Sequence, residues 1–224
     1  MRIEVEHRYR ARDPRVLDRL AEVAELGPAV LGAPRTVAEI DRYLDTPDGR
    51  LAAAGWACRL RTRGERSIVS LKGPPEEARA DAPGGHDGSL HRRPEVEGPA
   101  AAVEGGVHPE AWPASAARER LLDLSAGRPL VERVALAQRR TQRPVRHGGR
   151  SLAVLSLDRV TAARAGTTLG ELLVVELEQR TGPPDRDGAT LLAAVARALA
   201  GWPGLEPEPR TKLERALSLA GMPG

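Results

Sequence analysis

Apolar and charged residues alternate along much of the chain, and this alternation predicts β-strands. The opening segment, Arg2–Arg10, reads RIEVEHRYR, so that every second side chain points to the same side of an extended backbone. The other segments of extended character are Arg35–Leu44, Trp56–Arg63, Arg66–Lys72, Arg92–Glu97, Val131–Arg143, Ser151–Val160 and Leu172–Gln179. Turns at Gly64, His147-Gly148-Gly149 and Ala165-Gly166 separate neighbouring segments, which predicts antiparallel hairpins.

Helices are predicted where apolar residues recur at helical spacing. The first begins at Asp13-Pro14 and continues to about Glu25. The others are predicted at Ala114–Leu124, Gly188–Ala200 and Lys212–Leu219. The stretch Pro74–Ser89 is rich in Pro, Ala, Gly and acidic residues and is predicted to be a mobile loop. Short strands followed by late helices indicate an antiparallel α+β fold, which we interpret as one domain over residues 1–224.

Composition narrows the class of protein. Of the 224 residues, 41% are apolar and 29% are charged, which is typical of a globular protein. Arg197 interrupts the longest apolar run, so no segment reaches the roughly 18 residues of a membrane span. The charged N-terminal segment is unlike a signal peptide, and a single cysteine, Cys58, suits a reducing compartment, so a cytoplasmic location is predicted. A net charge of +3 and an aromatic content of 2% argue against a nucleic-acid partner.

Charged residues share one side of several predicted strands. The positions with this parity are Glu4, Glu6 and Arg8; Arg59 and Arg61; Arg93, Glu95 and Glu97; Asp158; and Glu176 and Glu178. A sheet with one solvated face is the simplest interpretation of such alternation. If the sheet closed with these faces inward, arginines could bind a polyanion and paired carboxylates could hold a hard cation such as Mg²⁺. Spacing alone leaves both interpretations open.

Lysine is rare in this chain, and its two positions are therefore informative. Among 34 basic residues only Lys72 and Lys212 are lysines. A coding bias towards arginine explains the rarity, whereas the retention of an ammonium group at two points indicates selection there.

Taken in order, these segments resemble the CYTH family, the triphosphate tunnel metalloenzymes. Glu4-x-Glu6-x-Arg8 resembles the opening Glu-x-Glu-x-Lys motif of that family. The later matching segments are Tyr43-Leu44-Asp45-Thr46-Pro47, Arg59-Leu60-Arg61, Leu71-Lys72-Gly73, Arg93-Pro94-Glu95-Val96-Glu97, Leu157-Asp158-Arg159-Val160, Val175-Glu176-Leu177-Glu178 and Thr211-Lys212 through Leu217. Each segment alone is a weak signal, but their common order over nearly the whole chain is specific.

The resemblance implies an eight-stranded antiparallel β-barrel, a tunnel with helices packed outside. It implies that phosphate groups of the substrate bind Arg59, Arg61, Lys72, Arg93, Arg140 and Lys212. It implies that a divalent metal, Mg²⁺ or Mn²⁺, binds Glu4, Glu6, Glu176 and Glu178, with Glu95, Glu97 and Asp158 lining the tunnel. Glu4, Glu6 and Arg8 would be the catalytic group. The implied activity is metal-dependent hydrolysis of inorganic triphosphate, an organic triphosphate or a short polyphosphate, by a monomer or homodimer.

Two departures and two rival functions accompany this hypothesis. Arg8 replaces the lysine of the family motif, so reduced or altered activity is expected. In Gln138-Arg139-Arg140 the register is open by one residue, although strand parity favours Gln138 and Arg140 on the inner side. The rivals are an adenylyl cyclase and a non-catalytic polyphosphate- or nucleotide-binding module. All four metal-binding glutamates are present, which favours catalysis over binding alone.

Overall fold

A computed structural model describes residues 1–75, 89–101, 107–180 and 186–222, and a single antiparallel sheet dominates it. In the described residues this sheet contains eleven strands. The strands are β1 (Arg2–Ala11), β2 (Glu25–Leu26), β3 (Ala29–Leu31), β4 (Arg35–Asp45), β5 (Ala57–Arg63), β6 (Arg66–Lys72), β7 (Leu90–Ala100), β8 (Val131–His147), β9 (Arg150–Arg164), β10 (Thr167–Gln179) and β11 (Leu205–Pro207).

Eight of these strands close into a barrel. Their order around the ring is β8-β4-β5-β6-β7-β1-β10-β9, and pairing of β9 with β8 closes it. The hairpin β2–β3 extends from β8, and β11 adds to the end of β1. The predicted eight-stranded antiparallel barrel is therefore confirmed. The predicted turns are confirmed as well: Ala165 and Gly166 both have positive φ angles, as the tight hairpin between β9 and β10 requires.

Five α-helices accompany the barrel in the described residues, α1 (Pro14–Glu22), α2 (Arg50–Ala53), α3 (Ala116–Ser125), α4 (Arg186–Ala200) and α5 (Lys212–Leu219), together with one turn of 3-10 helix at Pro109–Ala111. The Asp13 side chain accepts a hydrogen bond from the Arg15 backbone and so caps the start of α1. This helix ends three residues before the predicted Glu25, because the chain turns at Gly27, with a φ of +57°, to pair Glu25 and Leu26 with β3. Of the predicted loop Pro74–Ser89, residues 76–88 lie outside the described residues.

Two apolar clusters lie on the outer surface of the barrel. Under α1 and α4, outward side chains such as Leu155, Val175 and Leu177 form the larger cluster. Under α2 and α3, Leu60, Val69, Leu71 and other buried side chains form the second. These two layers bury the apolar side of the strands, which leaves the other side of the same strands facing the interior of the barrel.

A third apolar cluster fills one end of the interior. It contains inward-facing side chains of β8, β9 and β10: Val134, Leu136, Val160, Ala162, Leu172 and Val174. Ala216 and Leu217 of α5 complete it, and Tyr43 packs against it. The helix α5 thus closes this end of the barrel. The sequence analysis placed all helices on the outside of the barrel, and α5 differs in that it packs against inward-facing side chains. None of the described helices is long and apolar enough to cross a membrane.

Candidate functional site

The first strand shows which side of the sheet faces inward. Glu4, Glu6 and Arg8 are all buried, whereas Ile3 on the opposite side is 42% exposed. A strand that buries charges and exposes isoleucine does not follow the ordinary pattern of a solvated sheet face. Of the two interpretations left open by the sequence, the structure therefore supports the charged interior.

Exposure of the charged side chains varies along the tunnel, the name used here for the charged part of the interior. At the open end Arg2, Arg63, Glu97 and Glu178 have side-chain exposures between 36% and 42%, and we call these four residues the mouth. Arg59, Arg61, Lys72 and Arg93 lie deeper, at 12% to 15%. Asp158, Arg140 and Lys212 are at most 7% exposed and lie towards the end closed by α5.

Close to the mouth, glutamates of β1 are paired with cations of β6 and β7. Lys72 Nζ donates to Glu4 Oε1 at 2.5 Å, and Arg93 Nε donates to the other oxygen of Glu4 at 2.9 Å. Arg93 also donates to Glu6 at 3.1 Å. Burial alone would raise the pKa of Glu4, but Lys72 and Arg93 lower that pKa to about 2. Glu4 is therefore a fully ionised carboxylate held between two of the cations predicted to bind phosphate.

The deep end contains a second group of paired charges. Arg140 donates to both oxygens of Asp158, at 2.8 and 2.7 Å, and to Glu176 at 2.8 Å. Lys212, at the start of α5, donates to Asp158 and, at 2.9 Å, to Glu176. Thr211 and Glu214 form a capping box that fixes the first turn of α5, so the helix directs Lys212 into the tunnel. Four residues from β8, β9, β10 and α5 thus meet at this point.

Glu6 and Glu178 lie opposite each other on β1 and β10, in a crowded group of carboxylates that also includes Glu4 and Glu176. Burial, together with the charges of Glu4 and Glu176, raises the pKa of Glu6. Burial and the neighbouring glutamates also raise the pKa of Glu178, to about 7. Carboxylates crowded in this way favour an additional cation, and carboxylate oxygens are the ligands that Mg²⁺ and Mn²⁺ prefer.

This donor set fits a divalent cation in its chemistry, although its present side-chain positions are not those of a bound ion. No group of three or more Asp, Glu, His or Cys side chains within the described ranges is arranged to hold a metal. The physical reason is visible for Glu4 and Glu176, because lysine and arginine side chains already occupy their oxygens. A polyanion that drew those cations away would free the carboxylates for a metal.

Two interior carboxylates, Glu39 and Asp41 on β4, were missed by the sequence analysis. Arg61 donates to both oxygens of Asp41, at 2.6 and 2.7 Å, and the Gln138 amide donates to Asp41 at 2.6 Å. Glu39 lies 2.6 Å from Arg63 and 3.1 Å from Arg61. The signal was available, since Glu39 and Asp41 have the same i, i+2 spacing as Glu4 and Glu6. These acids hold the arginines of β5 in place.

The open register at Gln138-Arg139-Arg140 has a definite geometry in the structure. Gln138 and Arg140 are buried on the inner side, while Arg139 is exposed on the outer surface. The neutral Gln138 amide stands where a second cation of this strand would lie and satisfies Asp41 instead.

Several buried nitrogen atoms of the tunnel arginines have no hydrogen-bond partner in the described residues. They are Nε and Nη1 of Arg8 and Nε of Arg59. The Arg8 guanidinium lies 3.5 Å from Glu6, and burial lowers its pKa. A buried donor without an acceptor is unfavourable, so these groups are suited to a ligand that brings oxygen atoms into the tunnel.

Within the Tyr43–Pro47 segment, Asp45 has a structural role, whereas Tyr43 lies near the tunnel charges of Asp41, Arg59 and Arg93. Asp45 accepts hydrogen bonds from the backbones of Thr46, Leu51 and Ala52, at 2.7 to 3.1 Å, and so fixes the turn into α2. Tyr43 faces inward but belongs to the apolar cluster at the closed end.

Comparison with known proteins places this barrel in a family. The model of the CYTH domain matches residues 2–201, which is most of the chain, so the protein belongs to the CYTH family. No curated protein matches the chain. Solved structures with the same fold include a protein from Hippeastrum that is described as an adenylyl cyclase with a dominant triphosphatase activity. It is 20% identical, with a TM-score of 0.64, over 98% of this chain and 96% of that one.

Two further structures share the fold at lower similarity. A protein from Bacillus halodurans named as an adenylate cyclase is 18% identical, with a TM-score of 0.54, over 96% of this chain and 98% of that one. The triphosphatase of the Mimivirus capping enzyme is 10% identical, with a TM-score of 0.50, over 88% and 89% of the two chains. At these identities the likeness shows the fold.

Proposed function

We propose that this protein hydrolyses inorganic triphosphate, or the triphosphate group of a small organic molecule, with the help of a divalent metal. The observation that carries the proposal is the combination, inside one tunnel, of buried arginine nitrogens without an acceptor in the described residues and crowded glutamates with raised pKa values. A triphosphate with its metal would supply both an acceptor and a cation, because phosphate oxygens accept hydrogen bonds from arginine and the metal binds carboxylates. Membership of the CYTH family and the triphosphatases among proteins of the same fold support it.

In this proposal the residues of the tunnel act according to their depth. Arg59, Arg61, Lys72 and Arg93 bind the phosphates nearer the mouth, and Arg140 and Lys212 bind the phosphate that reaches the deep end. Arg8 donates from β1 to the same chain of phosphates. Cations fixed in a largely water-free site stabilise the charge that develops on the transferring phosphoryl group and on the leaving group.

The acidic residues have two roles in the proposal. Glu4, Glu6, Glu176 and Glu178 would hold Mg²⁺ or Mn²⁺, which polarises phosphoryl oxygens when bound. Glu39, Asp41, Glu95 and Asp158 keep the cations oriented when no substrate is present, and a tunnel carboxylate orients the attacking water in line with the terminal phosphate. Burial of these groups lets the charges act without competition from bulk solvent.

The two rival functions are less well supported by the described residues. The chain has five aromatic residues, and all of them lie elsewhere: Tyr9, Tyr43, Trp56, Trp112 and Trp202 belong to apolar clusters or pack against them. None is placed at the mouth to stack on adenine, which disfavours a cyclase that recognises ATP. A module that only binds polyphosphate needs the cations but not a set of four inward glutamates.

Phosphate release from triphosphate, ATP and thiamine triphosphate, measured with Mg²⁺, Mn²⁺ or EDTA, tests the proposal. We expect metal-dependent release that EDTA abolishes, fastest for inorganic triphosphate. Glu178→Gln should lower kcat by at least about 100-fold while the protein stays folded, whereas Lys72→Ala should mainly raise KM, by about tenfold. Tight polyphosphate binding without release from any substrate would instead establish the binding module.

A further inference from the structure

Arg2 is a cation of the tunnel mouth that the family motif does not include. It lies on the inward side of β1, two residues before Glu4, directly opposite Glu95 on β7. Its Nε and Nη2 atoms donate to Glu95 at 2.9 and 2.5 Å. The same Nη2 atom lies 3.6 Å from Glu178 and 3.8 Å from Glu97. One guanidinium is thus shared among three carboxylates from two strands.

Glu178 depends on this guanidinium more than the other two acids do. Among the described residues Arg2 is the only cationic side chain within 4.0 Å of Glu178. Glu95, by contrast, is almost completely buried and also has Lys72 Nζ at 3.6 Å, so it keeps a counter-ion without Arg2. Glu97 is partly solvated and lies 3.7 Å from Arg59.

The Arg2 side chain is also able to leave its position. It is 39% exposed, so its guanidinium can turn into solvent without passing through packed side chains. Arg2 Nη2 lies 3.6 Å from Oε1 of Glu178, so a divalent cation bound to that same oxygen would lie a few ångströms from the guanidinium, and the two like charges would repel each other in a partly buried site. The two cations must therefore compete for that carboxylate.

Resting on the proposed function, we propose that Arg2 occupies the cation position beside Glu178 in the metal-free protein and that a divalent ion must displace it. Arg2 then lowers the affinity of the free protein for metal. It also keeps the carboxylates of the mouth neutralised until the metal arrives.

Mn²⁺ titration of the protein without triphosphate, followed by the electron paramagnetic resonance signal of free Mn²⁺, tests this competition. At pH 8, Arg2→Gln should bind Mn²⁺ about three- to tenfold more tightly than the unaltered protein. Arg2→Lys keeps the positive charge and should bind as the unaltered protein does. Arg10→Gln is the matched control, since it removes the same charge from the same strand where the arginine pairs with Glu206 instead.

Unchanged or weaker Mn²⁺ binding by Arg2→Gln would overturn the inference. An equal gain in Arg10→Gln would do so too, because the effect would then reflect net charge alone. Absence of Mn²⁺ binding by every variant would also show that Arg2 competes with nothing. The proposed function is judged separately, by EDTA-sensitive phosphate release, and can stand when the inference fails.

Discussion

At the scale of single residues, the glutamates of the tunnel differ in how their charge is balanced. Glu4 has two cations on its oxygens and a pKa of about 2. Glu178 has one cationic side chain within 4.0 Å in the described residues, that of Arg2 at 3.6 Å. Burial and three neighbouring glutamates hold the pKa of Glu178 at about 7. The same residue type on adjacent strands is thus ionised in one case and half-protonated near neutrality in the other. The two pKa values differ because the side chains around Glu4 and Glu178 in the fold differ, although both residues lie in Glu-x-Glu segments.

The raised pKa of Glu178 has a defined effect on stability. In the unfolded chain this carboxyl group ionises near its ordinary pKa of 4.5, so between about pH 4.5 and 7 the folded state binds more protons than the unfolded state. Stability contributed by Glu178 is therefore present at low pH and is lost as pH rises through 7. We expect Glu178→Gln in EDTA to match the unaltered protein near pH 4.5 and to melt at a higher temperature at pH 8.

Thermal melts of both proteins from pH 4.5 to 8 measure that difference. Taking the difference removes the opposite contribution of His91, whose pKa burial and Arg8 lower to about 4 and which both proteins share. A constant difference across the range would contradict the raised pKa of Glu178. Addition of Mn²⁺ at pH 8 should stabilise the unaltered protein more than the variant.

Asp41 supports a second prediction at this scale. Asp41→Ala leaves the Gln138 amide without its acceptor and leaves Arg61 with Glu39, at 3.1 Å, as its remaining partner, and breaking a buried ion pair costs up to about 3–5 kcal/mol. A polyanion in the tunnel would replace the missing oxygens. We therefore expect a lower melting temperature for Asp41→Ala and a larger increase on adding triphosphate than in the unaltered protein.

The control for Asp41 lies on the outer side of the same two strands. Glu132 of β8 accepts from Arg42 of β4 at 2.6 Å, in an exposed pair. Glu132→Ala should change stability by less than about 1 kcal/mol and leave the response to triphosphate unaltered. A response of Asp41→Ala equal to that of Glu132→Ala would show that Asp41 does not orient the arginines.

At the scale of elements, one arginine joins α1 and β3 to the barrel. Arg143 of β8 is buried, and its guanidinium donates to the backbone carbonyls of Leu20, Ala21, Val23, Leu31 and Gly32. These include carbonyl groups from the last turn of α1, which the helix itself leaves without partners. A side chain more than a hundred residues away along the chain thus supplies hydrogen-bond donors to the carbonyl groups at the end of this helix.

Removal of that arginine should destabilise the fold without touching the tunnel. Arg143→Met keeps most of the side-chain volume but leaves several buried carbonyls unpaired, so we expect a loss of about 3 kcal/mol or more in the free energy of unfolding in urea. Arg139→Met, at an exposed position on the same side of that strand, should change it by less than about 0.5 kcal/mol. Equal midpoints for the two variants would contradict the role of Arg143.

At the scale of the whole molecule, the barrel is charged at one end and apolar at the other. In the part of the chain that the structure describes, the cations are reached past the mouth, because α5 and the cluster around Val134, Leu136 and Val174 fill the opposite end. A phosphate chain must therefore enter by one of its termini. On long-chain polyphosphate we expect shortening from the chain ends and no fragments of intermediate length. Gel electrophoresis of the products distinguishes the two patterns, and early intermediate fragments would contradict a tunnel closed at one end.

Residue alternation predicts much of this architecture, but it predicts neither very short strands nor which side of a strand is buried. Strand β6 and helix α5 have the predicted boundaries, and β5 begins one residue after the predicted Trp56, because periodicity, turn and cap residues agree there. The strands β2, β3 and β11 have two or three residues each, too few to show a period, and exist through pairing with distant segments. Alternation also cannot say which side of Arg2–Arg10 is buried, since that depends on closure of the ring by β8 and β9. The roles assigned to the tunnel side chains stay predictions.

Closure of the interior and neutralisation of its deepest carboxylates both depend on the same short helix, α5. Its eight residues include both the side chains that seal the interior, Ala216 and Leu217, and the ammonium group of Lys212 that neutralises Asp158 and Glu176. Fraying of this one short segment would admit water and remove a positive charge in the same event. Heat should therefore inactivate the protein when α5 detaches, before the barrel melts. The half-life of activity would then measure the detachment of these eight residues, and the calorimetric transition would measure the unfolding of the barrel.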